Sequence, residues 1–270
     1  MKRIAVLMAC YNRALTTLEC LRRLFSQEMP DGYSFDVWLV DDASPDRTGE
    51  KVKAAYPSVN VIQGTGKLFW CKGMRLAWEN AAEAYDYDFY MWLNDDTMLQ
   101  DGALGSLVRD AVLCGGGIVA GAVSDPGTGR VCYGVCGASG MIIPDGIQPT
   151  RASGRLNGNV LVVSRNAYRQ IGMIDEFYSH GTGDNDYGMM AIRKGVPIYV
   201  SSNISGTCRF NKGKTGLTAD MSLHERWRLL FSPLGFPLKD TWHYRKKFHG
   251  TMRAFASCVH VAFNVLTGRR

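Results

Sequence analysis

Short apolar runs that end in polar residues alternate, over the first 125 positions, with longer stretches of helical periodicity. Strands are expected at 3–11 (RIAVLMACY), 35–42 (FDVWLVDD), 60–64 (NVIQG), 89–96 (FYMWLNDD) and 118–123 (IVAGAV). Between them LTTLECLRRLFSQ, the stretch after Pro45, KGMRLAWENAAEAY and GALGSLVRDAVL carry helix formers or an i, i+3, i+4 apolar spacing. That alternation predicts an α/β fold with a mostly parallel sheet and helices on both faces. From 126 to 157 Gly, Pro and Asp break the pattern into short strands and loop. A strand at NVLVVS, a short helix near Tyr168, a helix from Asp184 to Lys194 and a strand at PIYVSS follow. The last 45 or so residues are aromatic, basic and helical in tendency, with a bend at SPLGFPLKD.

Composition narrows the class. A chain of 270 residues, 46% hydrophobic, can bury a sizeable core, which argues against disorder. Eight cysteines without a CxxC pair point to a reducing compartment and away from structural zinc. The first apolar run is too short for a signal peptide or a membrane span, so a cytoplasmic location is expected. The net charge of +6 is concentrated: residues 1–223 carry 22 Lys+Arg against 23 Asp+Glu, and residues 224–270 carry 9 against 2. A basic tail on a near-neutral body suits an anionic partner, either a membrane surface or a phosphate-bearing substrate. Nucleic acid is set aside, since no recognition motif accompanies the charge.

In an open α/β sheet, ligands bind beyond the carboxyl ends of the strands. Three strands deliver polar residues there: Tyr11-Asn12-Arg13, Asp41-Asp42 and Asn94-Asp95-Asp96. One such cluster serves equally as a helix cap or a turn. Three on one edge argue for a site. Paired carboxylates suit Mg2+ or Mn2+, which take one or two protein carboxylates plus substrate phosphates. Phosphate-loop spacings are absent, and GTGKLFW with Lys67 does not supply one. Farther on, in IDEFYSHGTGDNDYGMMAIRKG, Asp184 either caps the helix that it opens or serves as a general base under a Gly-rich loop.

Strand-Tyr-Asn-Arg, VDDASPDRT, GKLFWCKGMRLAWENA, WLNDDT and IDEFYSHGTGDNDYGMMAIRKG occur in that order within residues 3–207. Together they resemble the family 2 inverting glycosyltransferases of GT-A fold. The resemblance implies a GT-A type nucleotide-binding sheet, a nucleotide-diphosphate sugar donor, a divalent cation (Mg2+ or Mn2+) and single-displacement transfer with inversion. It sets Ala9, Tyr11, Asn12, Arg13, Asp41, Asp42, Lys72 and Asp95 on the donor side, Asp41 at the nucleobase and Asp95 near the ribose or sugar. Asp96 then holds the metal and Asp184 is the catalytic base, with His180 and Asp186 as acceptor-side candidates and Arg75 as a further phosphate or sugar contact. Two departures stand out. Gly183 occupies the place of the usual Glu before the base, and SSNISGTCRFN lacks the His that completes the metal shell, leaving His224, Cys208 or water.

The division expected is a glycosyltransferase domain over 1–223, with a donor half at 1–125 and an acceptor half at 126–223, followed by a basic helical extension at 224–270. In that extension Met252, Phe255, Val259, Phe263 and Leu266 fall near helical spacing. Either they pack on the body or they dock at the inner face of the cell membrane. The acceptor expected is a glycan or lipid-linked glycan, in surface polysaccharide synthesis. LFWCKGM and SPLGFPLKD resemble rhamnosyltransferase members. The rival readings are a non-catalytic nucleotide- or glycan-binding module on the same fold, and a sugar-phosphate nucleotidyltransferase.

Overall fold

The computed structural model describes residues 1–210, 217–218 and 220–268; Arg269 and Arg270, counted in the basic tail, lie outside the described residues. The chain opens β1 (Lys2–Cys10), α1 (Ala14–Phe25), β2 (Tyr33–Asp41), α2 (Thr48–Ala55), β3 (Asn60–Gln63), α3 (Phe69–Ala84) and β4 (Phe89–Leu93). A short β5 (Met98–Leu99), α4 (Ala103–Leu113) and β6 (Ile118–Ser124) follow. The loosely patterned stretch becomes β7 (Val131–Tyr133), β8 (Val135–Gly137), β9 (Gly140–Met141), β10 (Thr150–Ala152) and β11 (Arg155–Leu156). Then come β12 (Val160–Ser164), α5 (Arg165–Ile171), α6 (Gly183–Arg193) and β13 (Ile198–Thr207), and finally α7 (Leu223–Leu229), α8 (Leu238–His249) and α9 (Thr251–Thr267).

The main sheet runs β10-β13-β6-β12-β4-β1-β2-β3. Strands β1 to β4, β6 and β13 point one way, and β12 lies antiparallel between β4 and β6. An antiparallel strand begins where its neighbours end. The residues leading into β12 therefore join the carboxyl edge, with Val160 paired to Leu93.

Alternation along each strand sends successive side chains to opposite faces. Ile4, Val6 and Met8 pack with Leu21 and Leu24 of α1 and Leu104 and Leu107 of α4. Ala5 and Leu7 meet Met74, Trp78 and Ala81 of α3 and Tyr187 and Ala191 of α6 on the other face. Both faces are covered, which explains why the strands read as near-continuous apolar runs.

Helix starts shift for a reason that local spacing does not contain. The expected helix at Lys72 begins at Phe69, because the Asp42 carboxylate accepts the N–H groups of Leu68 (2.9 Å) and Phe69 (3.0 Å). Asp46 likewise accepts from Ala14 N (2.9 Å) at the start of α1, and Asp41 from Gly49 N (2.9 Å) in α2. The strand expected to run to Asp96 stops at Leu93, where Thr97 N donates to Asn94 O (3.0 Å) and closes a turn.

Among the described C-terminal helices, α8 docks on the body. Lys247 bridges Asp175 (2.9 Å) and Asp186 (2.8 Å), His243 pairs with Asp175 (3.0 Å), and its ring stacks on Phe177 at 4.0 Å. A small core of Leu217, Leu230 and Val265 joins α7 to α9. The opposite side of α9 leaves Met252, Phe255, Val259 and Phe263 exposed. Of the five residues expected along one face of this helix, Leu266 instead packs against that small core. No described helix is long and apolar enough to cross a membrane.

Candidate active site

The carboxyl edge gathers most of the polar residues picked out in the sequence. All five described non-glycine residues with left-handed φ lie on its loops or at its helix starts: Asn12, Ala43, Arg47, Phe69 and Thr182. Such conformations cost energy and persist where the surroundings impose them, commonly at functional sites.

At its centre Arg13 reaches across to the tip of β4. Its Nη1 lies 2.9 Å from Asp96 and 3.4 Å from Asp95. Asp95 is buried and accepts a hydrogen bond from the Thr17 hydroxyl (3.0 Å). Burial raises its pKa to about 7, assisted by Asp96 and opposed by Arg13. Asp96 is the more open of the two, and its other oxygen lies 3.6 Å from the Cys208 thiol, just past β13. Of the three shell substitutes suggested by the sequence, Cys208 is the one beside Asp96; His224 is exposed on α7. No cluster of three His, Cys, Asp or Glu side chains among the described residues forms a ready cation cage. The donor set still fits a hard cation that takes one protein carboxylate and fills its shell from diphosphate and water.

Asp41 and Asp42 stand at the edge as expected, with their oxygens turned into the loops. Asp41 accepts from Ser44 and Gly49, and Asp42 from Gly66 N (2.7 Å), Leu68 and Phe69. Ala9 lies under α3, where Gly73 leaves it room: a Cβ there would come within 3.0 Å of the Ala9 methyl. Tyr11 is exposed beside them.

Asp184 sits in the first turn of α6. Its oxygens accept from Asn185 N (2.7 Å) and Gly158 N (3.2 Å), and burial raises its pKa against those bonds. The loop before β12 thereby ties the candidate base to the acidic tip of β4. Asn159 O accepts from Asn94 N (2.9 Å), while Asn94 Oδ1 accepts from Trp70 Nε1 (2.7 Å). Gly158 is required at this junction, because a Cβ would meet Trp70 at 2.7 Å. Asn157-Gly158-Asn159 and Thr17 belong to no motif in the sequence; the Asn-Gly-Asn turn is the one local signal for the former.

The structure accounts for Gly183. A Cβ there would lie 2.6 Å from Cys71 Sγ and 3.2 Å from the Ile174 side chain. Cys71 is buried, and its thiol donates to His180 O (2.9 Å), so α3 and α6 meet too closely for any side chain.

Other sequence candidates fall away from the centre. Asp186 is buried and accepts from Lys247 and the Tyr178 hydroxyl (2.9 Å), facing α8. Arg75 donates to Ile174 O (2.7 Å) and pairs with Glu79. Lys72 is exposed on α3 within electrostatic reach of Asp240 on α8. His180 is exposed with its ring edge-on to Phe69 at 6.3 Å; desolvation and then the charge on Arg13 lower its pKa.

Residues 5–131 match the sequence profile of Glycosyl transferase family 2. No curated protein sequence matches the chain. Among solved structures it is similar to S. aureus TarS residues 1–349 (TM-score 0.56, 15% identity, covering 98% of this chain and 81% of that one). It is also similar to the mannosyltransferase PcManGT of Pyrobaculum calidifontis in complex with GDP-Man and Mn2+ (TM-score 0.60, 15% identity, 98% and 72%). TarS 1–349 in complex with UDP-GlcNAc is likewise similar (TM-score 0.60, 15% identity, 98% and 82%). Strand order, acidic strand tips and profile agree: residues 5–131 belong to glycosyl transferase family 2, and the chain that carries them has the GT-A glycosyltransferase fold.

Proposed function

We propose that the chain is a metal-dependent, inverting glycosyltransferase that moves a hexosyl or deoxyhexosyl group from a nucleoside-diphosphate sugar to a hydroxyl of a growing surface glycan. The observation that carries this reading is the pairing of one carboxylate in the first turn of α6, Asp184, with a separate acidic tip at Asp95-Asp96, joined by the Gly158-Asn159-Asn94 hydrogen bonds. The acceptor hydroxyl attacks the anomeric carbon, its new C–O bond forms as the bond to the diphosphate breaks, and Asp184 takes the hydroxyl proton. Asp96, with Cys208 beside it, would hold a Mg2+ or Mn2+ ion that offsets charge growing on the departing diphosphate. Arg13, already on both carboxylates, is placed to follow that charge with its guanidinium. Asp95 then orients the donor, and Asp41 and Asp42 hold the loops around it.

Asp184→Asn is expected to lower transfer by about 10²–10⁴-fold while nucleotide-linked thermal stabilisation in Mn2+ persists. Transfer at the unaltered rate in that variant would sink the base assignment. Failure of every nucleoside diphosphate to raise the melting temperature, with or without Mn2+, would sink the donor reading.

The partner proposed for α9 is an anionic lipid surface at the inner face of the cell membrane. Its exposed Met252, Phe255, Val259 and Phe263 form one apolar row on a helix bearing Arg253, beside Arg245 and Lys246 of α8. The charge complementarity favours anionic lipid over a second copy of an equally basic segment.

A further inference from the structure

A cavity of about 570 Å3 opens beside the residues that hold the candidate base. Two of its lining residues flank the base contacts in sequence. Asn157 precedes Gly158, whose N–H holds one Asp184 oxygen, and Asn185 follows Asp184 and holds the other. A second cavity of about 340 Å3 shares Cys136, Arg155 and Asn185 with the first and continues to Tyr244 on α8. The two adjoin at Asn185, next to Asp184, and together have the volume of a ligand site.

The lining is chemically uneven. Arg130 and Arg155 both border the larger cavity, and neither forms an ion pair among the described residues. The carboxylate in the same lining, Asp125, is spent on its own loops: it accepts from Phe210 N (2.7 Å), Gly127 N (3.0 Å), Thr128 N (2.9 Å) and the Thr128 hydroxyl (3.0 Å). Beside the base, the Asn185 side-chain oxygen is buried with no hydrogen-bond partner, while its amide nitrogen donates to Asp184 (3.2 Å). An orphaned acceptor atom at that place suits a ligand hydroxyl as donor. Tyr133 and Phe210, with ring centroids 5.9 Å apart, supply an apolar wall.

We infer that this run of cavities binds the acceptor, and that the acceptor carries an anionic group, phosphate or carboxylate, which Arg130 and Arg155 grip while its reacting hydroxyl lies toward Asn185 and Asp184. Guanidinium forks match both oxyanions in geometry and charge. The acceptor role rests on the transferase reading above; the binding of an anion between these arginines does not.

Ligand-observed NMR titrations of the full chain test it, using glycerol 3-phosphate, methyl glucuronide and neutral methyl glucoside as probes. A nucleoside diphosphate with diamagnetic Mg2+ is titrated first, which examines the donor reading separately and, where it binds, blocks the diphosphate site. At least one anionic probe is expected to bind more tightly than methyl glucoside, and to weaken by about 10-fold or more in Arg155→Gln and in Arg130→Gln. Preference for glycerol 3-phosphate assigns a phosphate-linked acceptor, and preference for methyl glucuronide an acidic sugar; either outcome upholds the inference. It is overturned if neither anionic probe outbinds methyl glucoside, or if both arginine variants bind as the unaltered protein does. Both arginines are exposed, and an unchanged melting temperature in each variant confirms that folding is not what the titration reads.

Discussion

Gly183→Ala sets two effects against each other at one atom. Gly183 lies in α6 without a left-handed φ, so an alanine there is conformationally allowed and taken alone would stabilise the helix by up to about 1 kcal/mol. Against this, the new Cβ would come 2.6 Å from Cys71 Sγ and 3.2 Å from Ile174 Cγ2, both in close-packed interior. Overpacking of this kind costs about 1–3 kcal/mol, and moving Sγ away also breaks its hydrogen bond to His180 O. The contact wins, and a net loss of about 1–2 kcal/mol is expected in urea unfolding at unchanged m-value. In a Cys71→Ala background the obstructing sulfur is gone. There the same substitution is expected to be neutral or stabilising, giving a coupling energy of about 1–3 kcal/mol. If Gly183→Ala is no less stable than the unaltered protein, or costs the same in both backgrounds, packing against Cys71 is not what keeps position 183 bare.

Two further outcomes follow from the C-terminal helices. Burial works to raise the Asp175 pKa, but bonds from Lys247, Phe177 N–H and His243 overcome it and bring it from 3.8 to about 2. A depressed carboxylate stabilises the fold above its unfolded pKa and loses that effect as pH falls through the folded value. Asp175→Asn is therefore expected to cost about 2 kcal/mol at pH 7 and about half as much at pH 3, read from urea midpoints; an equal cost at both values would refute the ionic account. For α9, Phe255→Ser with Phe263→Ser is expected to reduce co-sedimentation with phosphatidylglycerol vesicles by about 10-fold or more, with binding in either form weakened by salt. Undiminished sedimentation would remove α9 from the membrane contact.

The sequence carried the layers of the fold well, since Ile4-Val6-Met8 and Ala5-Leu7 already divide between two faces and turn residues close each run. It carried the edge as well, because Asp95, Asp96 and Arg13 each follow a legible strand. What it did not carry was contact at long separation. Asp42 starts α3 from 26 positions upstream, and Lys247 engages Asp186 from 61 positions downstream, so neither the helix start nor the loss of Asp186 to α8 is written in local spacing. Nor could the strand order reveal that β12 enters antiparallel and brings Gly158 to Asp184. The missing Glu at 183 was visible in the sequence, yet its cause lies in Cys71, more than a hundred positions away.

The loop that follows β2 has one more implication. The carboxylates of residues 41–46 do not cap one helix: Asp41 serves α2, Asp42 serves α3, and Asp46 serves α1 with one oxygen and α2 with the other. Each of those helices borrows its first hydrogen bonds from the same short span of chain, so none can complete its opening turn until that span has folded. The edge of the sheet consequently orders and frays as one cooperative unit, and a disturbance beginning in the loop is passed to three helices that share no sequence neighbourhood.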